Sequence, residues 1–157
     1  MPTDAVLYQA AALCLTHPDD DFVARLPLLR EAAPQLREFT DHATATPLPE
    51  LAAHYVRVFD AEDRRSLRLS RWYEGDARRR GRPLTRCADA FKAHGLECSG
   101  EKPPDFLPAV LEFTSRTGET ELLTEHRDAL EQLRRRLTEF GTPYATVLDA
   151  VCAAVPG

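Results

Sequence analysis

No stretch of this chain is apolar for long enough to cross a bilayer, which takes about 20 consecutive apolar residues. The first apolar run, within MPTDAVLYQAAALCL, is shorter and carries Asp4. It has neither a basic leader nor a small-residue cleavage pattern. The expectation is therefore a cytoplasmic protein with reduced thiols and no stable membrane insertion. Glycine is scarce, with 7 residues in 157, and none falls in a GxGxxG, a Walker or a GxSxG pattern. Phosphate-cradling loops and nucleophile elbows are thus not readable here. The four cysteines, Cys14, Cys87, Cys98 and Cys152, form no CxxC and no zinc-spaced pairing with histidine. Cys14, Cys87 and Cys152 sit in apolar helical patterns, where a thiol acts as a small buried hydrophobe. His17, His42, His54, His94 and His126 are scattered and make no HExxH. Hairpin turns of the Asn-Gly or Asp-Gly kind are missing, as is sustained alternation of β-branched residues, so no strand is expected. With no motif and no metal-ligand cluster, an enzyme is not expected either.

Charge and helical periodicity are abundant. The chain is 43% apolar and 29% charged, the balance of a soluble globular protein, and its length suits a single domain, residues 1–157, with one core. The net charge of -5 is unevenly spread. From Asp60 to Lys92 there are ten Arg/Lys against six Asp/Glu, about +4, while the other positions carry ten against nineteen, about -9. An acidic body with a basic middle is a poor default partner for phosphate backbones.

The periodicity predicts an all-α bundle of about seven to nine helices. Thr3 or Asp4 can cap a first, largely buried helix running to about Leu15. Asp19, Asp20 and Asp21 suit the positive end of a second helix. Pro27 and Pro34 each fit a first helical turn, so several short helices are expected up to about His42. After the turn in TATPLPEL, the residues Leu48, Leu51, Ala52, Tyr55, Val56 and Phe59 form one apolar stripe, with His54 and Arg57 opposite and Asp60 at the end. A helix from Leu84 should turn Cys87, Phe91 and His94 inward and stop at Gly95. Pro104 opens a compact helix carrying Phe106, Leu107, Val110, Leu111 and Thr114, with Glu112 and Arg116 paired at i, i+4. One long helix is expected from Glu119 to Phe140, and a last one after Thr142-Pro143.

The stretch SLRLSRWYEGDARRRG, Ser66 to Gly81, departs from this regularity. It begins on apolar spacing, holds the one tryptophan, Trp72, and turns through Gly75-Asp76 into arginines. Three readings are open. It is a solvated charged face; or a nucleic-acid patch in which Trp72 and Tyr73 stack bases; or a loop locked by arginine–carboxylate pairing to a helix end such as Asp60 or Asp105.

The order Tyr55-Val56-x-x-Phe59-Asp60, then Ser66-Leu67-x-Leu69, then Gly75-Asp76-x-Arg78-x-Arg80-Gly81 resembles the NarJ family. These are assembly chaperones of respiratory nitrate reductase within the TorD-like group of redox enzyme maturation proteins. Phe91-Lys92, Gly95-Leu96-Glu97 and Pro104-Asp105-x-Leu107-Pro108-x-Val110-Leu111-Glu112-Phe113 fit the same pattern. Three positions depart from it: Arg68 stands between the two leucines, Phe106 replaces a histidine, and Lys102 holds a usually acidic place. The resemblance implies an all-helical, non-catalytic chaperone that binds the apo catalytic (alpha) subunit, partly through its N-terminal segment. It also implies that the chaperone holds that subunit ready for molybdenum cofactor insertion and membrane assembly, keeps no cofactor itself, and meets cofactor-delivery proteins. The expected groove for an amphipathic peptide lies between the Tyr55 and Leu107 helices. Its candidate contacts are Tyr55, Phe59, Asp60, Asp105, Leu107, Leu111 and Glu112. A sibling chaperone serving another molybdenum reductase, or a helical nucleic-acid module using the arginines, are the alternatives.

Overall fold

The computed structural model describes residues 2–61, 63–73, 82–96 and 103–156. Among these residues there are nine α-helices and no strand. The N-terminal group is α1 (Pro2–Cys14), α2 (Asp20–Ala32), α3 (Arg37–Ala45) and α4 (Leu48–Tyr55). Then come α5 (Arg82–Ala93), α6 (Leu107–Thr117), α7 (Glu121–Glu125), α8 (Arg127–Phe140) and α9 (Tyr144–Ala154). No helix among the described residues is long and apolar enough to cross a membrane.

Local chemistry explains most of the boundaries. Asp19 caps α2, its carboxylate accepting the Phe22 N–H at 2.9 Å, and Asp20 and Asp21 follow in the first turn. Gly118 and Gly141 end α6 and α8 at φ of +78° and +84°, a left-handed conformation that a side chain would strain. Pro34 opens a short 3-10 turn, as a residue without an N–H can.

Several expectations are corrected. The first helix already starts at Pro2, so Thr3 and Asp4 lie inside its first turn and are not caps. Pro27 sits within α2. The helix expected from Leu84 begins at Arg82, leaving Leu84 exposed, and His94 is exposed too, its ring edge-on to Phe113. The compact helix begins at Leu107, after Pro104, with Pro108 in its first turn. The long helix expected from Glu119 is two helices, broken at His126. There the buried imidazole lies 2.7 Å from the Leu122 carbonyl, which also accepts the His126 backbone N–H at 3.3 Å. Phe140, placed on the apolar stripe by periodicity, is half exposed and instead carries the Arg65 guanidinium 4.3 Å above its ring.

The core is one apolar cluster. Helix α1 lies along α6, α8 along α9, and α2 along α3. Tyr144, at the start of α9, is buried at its centre, with ring centroids 4.7 Å from Phe39, 4.9 Å from Phe59 and 6.0 Å from Tyr55. Cys14, Cys87 and Cys152 are buried as expected. Burial pushes the Cys14 thiol up to about 12 and the Cys152 thiol up to about 11.

Candidate functional site: an acid-rimmed hollow beside a strapped loop

The end of α4 does not continue as a regular helix. Residues Val56–Asp60 form one wide π turn, in which the Ala61 N–H donates to the Val56 carbonyl at 2.9 Å. The extra residue in that turn changes the direction in which its neighbours point. Val58 and Phe59 point into the core, while Val56, expected on the stripe, is exposed. His54, expected outward, is half buried, with Nε2 2.7 Å from Thr142 Oγ1 and its ring stacked on Tyr144. The consequence for the site is direct: Tyr55, Phe59 and Asp60 all reach one hollow.

Opposite them, the segment 66–72 is strapped to the entrance of α6. Asp105 is 0% exposed. One of its oxygens accepts Arg68 Nε–H at 3.0 Å and the other accepts the Ser70 N–H at 3.0 Å. Two backbone bonds run alongside, Leu69 N–H to Asp105 O at 3.0 Å and Leu107 N–H to Leu67 O at 2.8 Å. Trp72 Nε1–H donates to the Ser66 carbonyl at 3.1 Å, and the Ser66 hydroxyl accepts the Arg68 N–H. Arg136 adds an anchor from α8, placing its guanidinium over the Trp72 ring and donating to the Arg64 carbonyl at 2.8 Å. Arg68 and Phe106, two of the three departures from the family pattern, face each other in an antiparallel bridge. An arginine–carboxylate lock on Asp105 is thus present, made by Arg68; Arg78, Arg79 and Arg80, next to the Gly75-Asp76 turn for which such a lock was expected, lie outside the described residues.

Between these walls lies a hollow of about 640 Å³, floored by the Gln9–Thr16 side of α1. Tyr55, Phe59, Asp60, Ser66, Leu67, Pro108 and Glu112 all line it. Phe106 and Ala109 supply apolar surface, and Asp19, Asp60 and Glu112 bring three carboxylates to it. The facing cation, Arg68, is already neutralised by Asp105. His17 also lines the hollow, its ring edge-on to Tyr55 at 5.2 Å. Burial, reinforced by the nearby Asp60 carboxylate, raises the Tyr55 phenol, and that phenol donates to the Leu15 carbonyl at 3.0 Å. It stays neutral and structural. The arrangement offers apolar floor and negative rim, which suits a peptide with both apolar and basic side chains.

Leu107 and Leu111, expected as groove contacts, are fully buried and belong to the core. The reason is register: along α6 and the Phe106 that precedes it, the hollow takes positions 106, 108, 109 and 112, and the core takes 107, 110 and 111. Phe113 is likewise core, stacked on Phe91 at 4.8 Å. Asp105 lies beneath the wall and holds it. Pro104 occupies the turn before α6. Gly75, Asp76, Arg78, Arg80 and Gly81 lie outside the described residues, as do Cys98 and Lys102. Sequence reasoning missed the contribution of α1. Its signal was available, because α1 has no charged residue after Asp4 although part of it meets solvent. Among the described residues no group of three His, Cys, Asp or Glu side chains is placed to hold a metal ion.

The all-helical fold is one already seen in a protein described as a redox enzyme maturation protein. The crystal structure of one such protein from Archaeoglobus fulgidus matches with a TM-score of 0.77 at 23% identity, covering 95% of this chain and 91% of that one. More particularly, the chain belongs to the nitrate reductase delta subunit family, whose model matches residues 26–150. "Nitrate reductase-like protein NarX" of Mycobacterium tuberculosis is 32% identical over 162 residues, covering 94% of this chain and 24% of NarX. The chain thus spans about a quarter of the length of that relative. The Bacillus subtilis "Probable nitrate reductase molybdenum cofactor assembly chaperone NarJ" is 26% identical, covering 96% of this chain and 88% of the relative. Escherichia coli NarJ, a nitrate reductase molybdenum cofactor assembly chaperone, is 30% identical over 112 residues, covering 69% of this chain and 47% of the relative.

Proposed function

We propose that this chain is a non-catalytic assembly chaperone acting in the cytoplasm on the apo catalytic (alpha) subunit of respiratory nitrate reductase. It binds that subunit partly through its N-terminal segment, keeps it competent for molybdenum cofactor insertion, and delays membrane assembly until insertion is complete. The molybdenum cofactor is cargo for the client; this chain holds none stably. Proteins that deliver the cofactor are further partners, met while the client is held. The observation that carries this reading is the hollow between α1, the π turn and α6, with its apolar floor and three carboxylates. It suits an amphipathic helical segment bearing Lys or Arg, and relatives named as nitrate reductase chaperones supply the client class.

Calorimetric titration with a peptide copying the N-terminus of a nitrate reductase catalytic subunit tests it. Binding is expected, and Glu112→Lys should weaken it about tenfold, or 1.4 kcal/mol, by reversing a rim charge. Absence of binding, with binding of another molybdenum reductase's leader instead, would move the client assignment to that enzyme. Salt-sensitive DNA binding with no affinity for either peptide would sink the chaperone reading.

A further inference from the structure

Helix α1 is buried around most of its circumference, yet the strip Val6, Gln9, Leu13 and Thr16 meets solvent. Val6, Gln9 and Leu13 are spaced by three and four, so they share one face of the helix, and Thr16 follows just past its end. No Asp, Glu, Lys or Arg occurs between Asp4 and Asp19. The solvent face of an amphipathic helix ordinarily carries charge, and a contiguous uncharged one marks surface that something covers. At its Leu13–Thr16 end the strip floors the hollow described above. At its other end it runs into a shallow apolar shelf of about 320 Å³ between α1 and α2, lined by no ionisable side chain. There Val6 is 43% and Leu28 66% exposed. Gln9 and Leu13 line both depressions, so the surface is continuous. Helix α6 walls both, with Glu112 at the hollow and Ser115 at the shelf. The Ser115 hydroxyl donates to the Ala5 carbonyl at 2.7 Å and holds that wall to the floor. From Val6 to Thr16 the strip is about 15 Å long at helical rise, the length of about three turns of a docked helix.

We propose that the Val6–Leu28 shelf is the second half of one binding trough, and that the client segment seated over the hollow continues onto it. The inference rests on the chaperone reading above and adds the polarity of what is bound: an amphipathic helix with its apolar end on Val6 and Leu28 and its Lys/Arg end over Asp60 and Glu112. The charge distribution favours this occupant over a second copy of the chain. A two-fold contact of the trough with itself would lay each acidic end against the uncharged shelf of its partner. Asp19, Asp60 and Glu112 would then be covered without a counter-charge, which is costly.

The test uses the full chain and a peptide copying the N-terminus of the nitrate reductase catalytic subunit, titrated against wild type and against Val6→Glu, Leu28→Glu and Leu28→Met. Both glutamate positions are exposed, so circular dichroism and melting should match wild type. The glutamate variants are expected to bind at least about tenfold more weakly. The loss should persist in high salt, where screening spares apolar contacts, and the heat-capacity change of binding should shrink. Leu28→Met should bind as wild type does. If the glutamate variants bind normally while Glu112→Lys is weakened, the shelf is not part of the client site and the chaperone reading stands without it. Should they bind normally but lose a self-association seen in wild type, the shelf belongs to a second copy and the proposal is overturned. Failure of wild type to bind the peptide removes both readings together.

Discussion

Asp105 is the side chain on which the loop beside the hollow depends. It is fully buried, yet both carboxylate oxygens accept hydrogen bonds, one from a guanidinium and one from a backbone N–H. Burial of a carboxylate is costly unless it is paired in this way. Replacing it leaves Arg68 and the Ser70 N–H without their partner, while the backbone bonds on either side remain. Asp105→Ala should therefore lower stability by about 2–4 kcal/mol, read as a reduced urea midpoint. An unchanged midpoint would remove Asp105 from that role. The residue was legible in the sequence as a polar group at the mouth of an apolar helix. Its partner was not, because Arg68 lies 37 positions away and several other arginines stand closer to the Gly-Asp turn. The cysteines give a second check. The Cys14 and Cys152 thiols are raised well above the usual range by burial, and the thiolate is the reactive form. Both should react with a thiol reagent only when the protein unfolds, in a stopped reaction analysed by peptide mapping.

The α4–π-turn element decides which side chains reach the hollow. A strict 3.6-residue reading of Leu48 to Phe59 sends Val56 inward and His54 outward; the widened turn at Val56–Asp60 leaves Val56 exposed, and His54, on the last turn of α4, is half buried against Thr142 and Tyr144. Periodicity carries no signal for a turn of that width. The same element carries a pH dependence. His54 is held below its ordinary value of 6.5, first by desolvation and then by Arg57 and His42. Its neighbours across the packing are the uncharged Thr142, Tyr144 and Phe140 and the titratable His42 of α3. The unfolded chain binds the proton more readily, so the stability that neutral His54 contributes is present above about 6.5 and is lost as pH falls toward its lower folded value. Wild type should lose more of its urea midpoint than His54→Gln does between about pH 7.5 and pH 5.5. Parallel losses in the two proteins would show that other groups carry the dependence. The break between α7 and α8 is equally unreadable from the period: the charged face from Glu119 to Phe140 reads as one helix, and the break falls at the buried His126.

At the scale of the whole molecule, three carboxylates meet at the rim of the hollow, while many of the other acids pair with arginines elsewhere on the surface. A net charge of -5 with rim carboxylates at Asp19, Asp60 and Glu112 favours encounter with basic peptide over nucleic acid. Core and rim can be told apart by experiment. Leu111→Ala should cost about 2–5 kcal/mol of stability through the cavity it leaves, yet the folded variant should bind the client peptide with unchanged affinity. A selective loss of affinity without loss of stability would return Leu111 to the groove. The all-helical class, the helix cap at Asp19 and the family were all written in the sequence. Each rests on short-range chemistry: apolar spacing, cap residues, and motifs in a fixed order. Which residues of a stripe face the hollow and which face the core was decided by tertiary structure alone. Tyr55, Leu107 and Glu112 carry the same helical period into different surroundings. Only the closing of α1, the π turn and α6 around one hollow leaves Glu112 at its rim and Leu107 beneath its wall.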